Sequence, residues 1–127
     1  MRQHRSEQWF DRKLATYAAV FDAMNELSEE IDQLLDEEVN QPLVALTPAH
    51  RTTLARASAN ARLHLRKAAR IGSFTISPEA EAILSQMLEQ LNRAGDESFF
   101  QHLDTKGAAI DAAIAKLKEA ARRDLNR

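Results

Sequence analysis

Cysteine is absent from the 127 residues. That absence excludes a disulfide scaffold, a thiol nucleophile, a cysteine-based zinc finger and an iron–sulfur cluster, and it fits a reducing compartment. Glycine and proline occur three times each, far below the turn demand of a β-sandwich or barrel. With glycine only at 72, 95 and 107, no glycine-rich phosphate loop can form. No apolar run approaches the roughly 18–20 residues that span a bilayer. The segment from Met1 to Lys13 is polar and has no apolar leader core, so it does not read as a secretory signal and the expected location is cytoplasmic. A large charge of one sign is also lacking: 17 Lys+Arg stand against 19 Asp+Glu, a net −2. What is present is 44% hydrophobic and 28% charged residues, the profile of one soluble globular domain over residues 1–127.

Helix is the period that runs through the chain. Phe10, Leu14, Tyr17, Phe21, Met24, Ser28, Ile31 and Leu35 fall at alternating spacings of four and three, a heptad seam. Val20, Leu27 and Leu34 widen it to the stripe of a bundle helix. This predicts a first helix from Ser6 to Val39, about 50 Å long. Pro42 ends it. Thr47-Pro48 supplies a capping oxygen followed by a proline where no N–H is missed, and starts a second helix that runs to Ile71. Its buried line is narrow: Leu54, Ser58, Ala61, Leu65, Ala68 and Ile71. Gly72 is the expected stop. Ser77-Pro78-Glu79 repeats the start signal, and a third helix carries Ile83, Leu84, Met87, Leu88 and Leu91 to Ala94-Gly95. Asp96 is the expected cap of a fourth helix, with a seam of Phe99/Phe100, Leu103, Gly107, Ile110, Ile114, Leu117 and Ala121.

The expected fold is therefore all-α, an antiparallel four-helix up-down-up-down bundle with long first and fourth helices and a short third. If the fourth helix starts beside the end of the third, it overshoots the bundle at the end where the first helix also does. The two termini then pair as a two-helix extension. On that register Gly107 faces Tyr17 or Phe21, where its missing Cβ permits close approach.

Charge is segregated along the chain. From Leu14 to His50 there are eight acids and no Lys or Arg; from Val39 to Pro78 there are six bases and no acid. In an antiparallel hairpin the two stripes lie side by side and select the register. The alternative is a basic face on the second helix (Arg51, Arg62, Arg66, Lys67 and Arg70) offered to nucleic acid or an acidic partner. Ala, Leu and Ser interleave those bases and no aromatic platform does, which makes nucleic acid the weaker partner. The two chain ends, Met1–Lys13 and Ile114–Arg127, together hold nine bases against four acids, a basic end suited to peripheral contact with an anionic membrane.

Sites of chemistry are missing. None of the four histidines has an acid three residues before it, so the di-iron motif of helical bundles is excluded in its usual form. No His-Glu-x-x-His occurs. Arg62-Leu63-His64 has the residue types of an all-helical HEPN ribonuclease at the wrong spacing. His50 and His64, two heptads apart, allow a metal site or pH switch but fit flanking histidines with local partners better. No enzyme activity, cofactor, metal or small-molecule substrate is expected.

The run Trp9-Phe10-Asp11-Arg12-Lys13-Leu14-Ala15-Thr16-Tyr17, followed by Phe21-Asp22-Ala23-Met24, resembles the start of a loose group of uncharacterised bacterial helical proteins. In that group an aromatic-x-x-Lys-x-x-x-Tyr helix follows an N-terminal membrane span, which this sequence does not show. Gly72-Ser73-Phe74-Thr75-Ile76-Ser77 and Arg122-Arg123-Asp124-Leu125 also match. The resemblance implies a helical protein working at the inner face of the bacterial membrane and carries no activity. The function expected is a non-enzymatic protein-interaction or scaffold module, with a protein partner or self-association along the heptad seam. Its expected contacts are the groove left open by the short third helix (Phe74, Ile76 and Met87) and the basic end around Trp9 and Arg12.

Overall fold

Four α-helices make up the computed structural model, which describes residues 2–40, 45–71, 75–93 and 98–126, with first-helix side chains from residue 7. They are α1 (Arg2–Asn40), α2 (Pro48–Ile71), α3 (Pro78–Asn92) and α4 (Phe99–Leu125). No strand occurs among the described residues. α1 packs on α2 and α4, and α3 packs on the same two helices from the other side, so the four close around one core.

The helix starts follow the local chemistry. At α2 the His50 N–H donates to Thr47 Oγ1 at 3.1 Å, and the Arg51 N–H donates to the Thr47 carbonyl at 2.9 Å. At α3, Ser77 is extended and its hydroxyl accepts from the Ala80 N–H at 3.2 Å. At α4 the cap is Ser98, in a reciprocal box with Gln101, which satisfies two orphan donors at once. The expected cap Asp96, like the expected stops Gly72 and Gly95, lies outside the described residues.

The core is built from Val20, Met24 and Leu27 of α1, Leu65 of α2, Leu84 and Met87 of α3, and Ile110 and Leu117 of α4, each at most 2% exposed. Small residues of α2, Ser58 and Ala61, are buried beside Leu65. Five expected seam residues are not in the core: Phe10, Leu14, Ile71, Phe99 and Phe100 are 44–61% exposed. Register explains Phe10, Phe99 and Phe100. Arg123 pairs with Glu79, and the Ser77 N–H donates to Asp124 Oδ2 at 3.0 Å. The last turn of α4 therefore lies beside the first turn of α3. The extra length of α4 falls at its own N-terminus, where Phe99 and Phe100 stand clear of α3. Lys13 and Tyr17 sit level with Asp124, so the first three turns of α1 run past the end of α4 as an arm. The expected two-helix extension is not formed. The same register sets Gly107 against Ile31, whose Cγ2 would lie 3.3 Å from a Cβ built at residue 107, and not against Tyr17 or Phe21.

Candidate functional site

The most ordered polar chemistry gathers on Asp124. Its carboxylate is 5% exposed and accepts from three donors: Lys13 Nζ at 2.8 Å, Tyr17 Oη at 2.6 Å and the Ser77 N–H at 3.0 Å. α1 supplies the first two one helical turn apart, the start of α3 supplies the third, and α4 carries the acceptor. Lys13, Tyr17 and Ser77, far from residue 124 in sequence, thus meet at one carboxylate. Burial pushes that carboxyl up, but the Lys13 and Tyr17 hydrogen bonds, the Lys13 charge and the Ser77 N–H outweigh it and hold it below the ordinary carboxylate range. Burial, followed by the bond to Asp124, pushes the Tyr17 phenol up to about 12. A phenol so hard to deprotonate is a poor nucleophile or base at neutral pH. The cluster is a latch that joins three helices.

A second latch closes the other end of α1. Glu37, 5% exposed, accepts from the Leu46 N–H at 2.5 Å and pairs with Arg51. Glu37→Ala is expected to cost about 1–3 kcal/mol, because the half-buried Leu46 N–H and the Arg51 guanidinium lose their acceptor. Urea unfolding measures it.

The expected contact residues divide. Trp9 is 48% exposed and Lys13 Nζ stands 5.9 Å from its ring centroid; Arg12 is exposed beside it. With Phe10 and Leu14, 44% and 47% exposed, they give the arm of α1 an apolar ridge. Ile76 and Met87 are buried, 4% and 1% exposed: Ile76 precedes the first turn of α3, beside the end of α4, and Met87 packs into the core from the middle of α3. Phe74 lies outside the described residues. The open ground next to α3 is instead a trough between α3 and α4, about 590 Å³, with Met87 at its floor among alanines of α4.

Of the basic face, Arg51 is engaged by Glu37, and Arg62 is half-buried with its Nε lacking a hydrogen-bond partner among the described residues. Arg66, Lys67 and Arg70 are exposed. Among the described residues Arg51–Glu37 is the one ion pair that joins α1 to α2, so the acidic and basic stripes face solvent largely unneutralised. His50 bonds Gln33 at 2.7 Å, His64 is exposed and His102 borders the trough. No group of three or more metal-ligating side chains occurs among the described residues, and no described helix is long and apolar enough to cross a membrane.

Sequence reasoning missed Asp124 as a site, counting it among the charges of the basic end and within the Arg122-Arg123-Asp124-Leu125 run of the resemblance. An acid inside the Arg122–Arg123–Asp124 run, with a Lys and a Tyr one turn apart on another helix, was the available signal. Comparison with protein-family models, with curated proteins and with solved structures gives no match.

Proposed function

We propose that this chain is a non-enzymatic helical interaction module that docks through the arm of α1, with the remaining bundle as its scaffold. The observation that carries the reading is the apolar ridge of Trp9, Phe10 and Leu14, three large side chains each 44–48% exposed on one short stretch of helix. Exposed apolar groups in such a cluster mark contact surfaces. Arg12, Arg122 and Arg123 are exposed at the same end and support a working position at the inner face of an anionic bacterial membrane. The reading takes the bundle as antiparallel up-down-up-down. Support comes from the pairs Tyr17–Asp124 and Ile31–Gly107, in which numbering rises along α1 as it falls along α4.

Trp9 is the sole tryptophan, so its fluorescence reports any occupant of the ridge. Titration with vesicles of phosphatidylcholine and phosphatidylglycerol is expected to shift its emission to the blue. Phe10→Ala is expected to weaken vesicle binding about tenfold, since burying one such ring is worth about 1.5–3 kcal/mol. The melting temperature should hold, because Phe10 makes no core contact. Emission that stays fixed with anionic vesicles and with rising protein concentration would remove the reading.

The exposed bases Arg66, Lys67 and Arg70 favour a second reading, a nucleic-acid or acidic-partner binder that uses α2. Salt-sensitive binding of labelled single-stranded DNA, lost on Arg66→Ala and Lys67→Ala, would establish it; no binding at low salt would end it.

A further inference from the structure

The trough between α3 and α4 lies on a different surface from the arm and has a chemistry of its own. Its floor is made of Met87 and the small residues Ala109, Ala112 and Ala113. At that spacing the alanines share one face of α4 and leave its backbone open to close approach. Its rim carries Arg93, His102, Lys106 and Lys116, and no Asp or Glu lines it. Arg93 has one exposed partner, Glu89 at 3.7 Å; Lys106 and Lys116 have no ion pair among the described residues. Burial and the neighbouring Arg62 lower the proton affinity of Lys106 against the pull of Glu30. A second stretch shares Ile83, Gln86 and Lys116 with the first, but Glu79 and Glu119 line it and its Arg123 is paired with Glu79, so the acid-free part of the trough ends at Lys116. From His102 to Lys116 the acid-free trough follows α4 for about 20 Å, the length of a helix of about 14 residues.

Length, shape and charge select the occupant. A straight trough with an apolar small-residue floor is the geometry of helix-in-groove recognition. The cationic rim without acids asks for carboxylates on the flanks of that helix. Nucleic acid is a poor match, because no aromatic ring lines the floor to stack a base.

We propose that the α3–α4 trough receives an acidic amphipathic helix of a partner protein, its apolar ridge on Ala109, Ala112 and Ala113 and its carboxylates against Arg93, Lys106 and Lys116. The test is a titration of the isotope-labelled full chain with a 20-residue helical peptide bearing a Leu/Ala ridge flanked by glutamates, followed by amide chemical shifts. A peptide with lysines in place of the glutamates is the control. The expected result is saturable shifts confined to α3 and α4 along the trough, with the lysine peptide at least tenfold weaker. Ala112→Glu puts a charge on the floor and Lys116→Glu reverses the rim; both positions are exposed, so the fold is kept. Each is expected to weaken binding about tenfold or more, the equivalent of about 1.4 kcal/mol, and raising salt from 50 to 300 mM should weaken it severalfold. Three results would overturn the proposal: no shift at 1 mM peptide, shifts centred on Arg66, Lys67 and Arg70 of α2, or affinity unchanged by Ala112→Glu and Lys116→Glu. Concentration-dependent broadening of trough signals without peptide would also overturn it, since a second copy would then be the occupant.

Discussion

Asp124→Ala is expected to destabilise the chain by about 3–5 kcal/mol, read as a lower urea midpoint at unchanged slope. The carboxylate is the common acceptor of Lys13, Tyr17 and the Ser77 N–H. Its removal strands three donors, two of them buried. Lys13 loses least, because it is 16% exposed and already stands over the Trp9 ring. The Ser77 N–H retains only a long approach to Tyr17 Oη at 3.5 Å. Tyr17→Phe is expected to cost less, about 1–2 kcal/mol, since Asp124 keeps two donors. A cycle with Asp124→Asn separates the pair from its surroundings.

The same latch predicts a stability profile with two limbs. Asp124 binds its proton less readily folded than unfolded. Its contribution is whole above the unfolded carboxylate range, and is lost as pH falls from about 4 toward the folded value. Tyr17 runs the other way. Its phenol is pushed up to about 12 in the folded chain, against about 10 unfolded. That contribution is whole below pH about 10 and is lost between about 10 and 12, on the order of a few kcal/mol. Chemical unfolding across this range measures both limbs; Tyr17→Phe should abolish the alkaline one and shrink the acid one, which Lys13 and the Ser77 N–H still support.

Local chemistry was legible in the sequence and long-range register was not. The caps Thr47 and Ser77 act where a hydroxyl residue precedes proline, and the stripe through Val20, Met24, Leu27 and Ile31 is buried because a helical period leaves no other face for it. A heptad seam, however, tolerates a slide of whole turns with little change in the residue types it buries. What sets the register here is polar. Asp124 accepts from residues 107 and 111 positions away in sequence, a separation that periodicity cannot sense. Hence Phe10, Phe99 and Phe100 looked like seam and are exposed, and Ile76 looked open and is covered. The trough escaped notice for a related reason. Alanines at 108, 109, 112 and 115 carry almost no hydrophobic signal, and only their place beside α3 makes them the lining of a trough.

Gly107→Leu is the second large effect, about 3 kcal/mol or more of destabilisation. Glycine inside α4 lowers helix propensity, and Ala there would gain up to about 1 kcal/mol from propensity alone. That gain meets a wall. A Cβ at 107 lies 3.3 Å from Ile31 Cγ2, tighter than an ordinary van der Waals contact, and Ile31 is 5% exposed in the packed α1–α4 seam. Ile31 is β-branched and stiff at χ1, so it yields little without moving a helix. For Ala, propensity and crowding nearly cancel, and the expected change is within about 1 kcal/mol of zero. Leu adds three more carbons to the same crowded side and must separate the helices or leave its rotamer, the cost of overpacking. Ile31→Ala removes the obstructing methyl and should recover more than 1 kcal/mol of the Gly107→Leu loss in the double variant, beyond additivity. Additive losses would mean that residues 31 and 107 do not touch. The register fixed at Asp124 would then fail along with the contact, because with Tyr17 held beside Asp124, about four turns of α1 bring Ile31 level with Gly107.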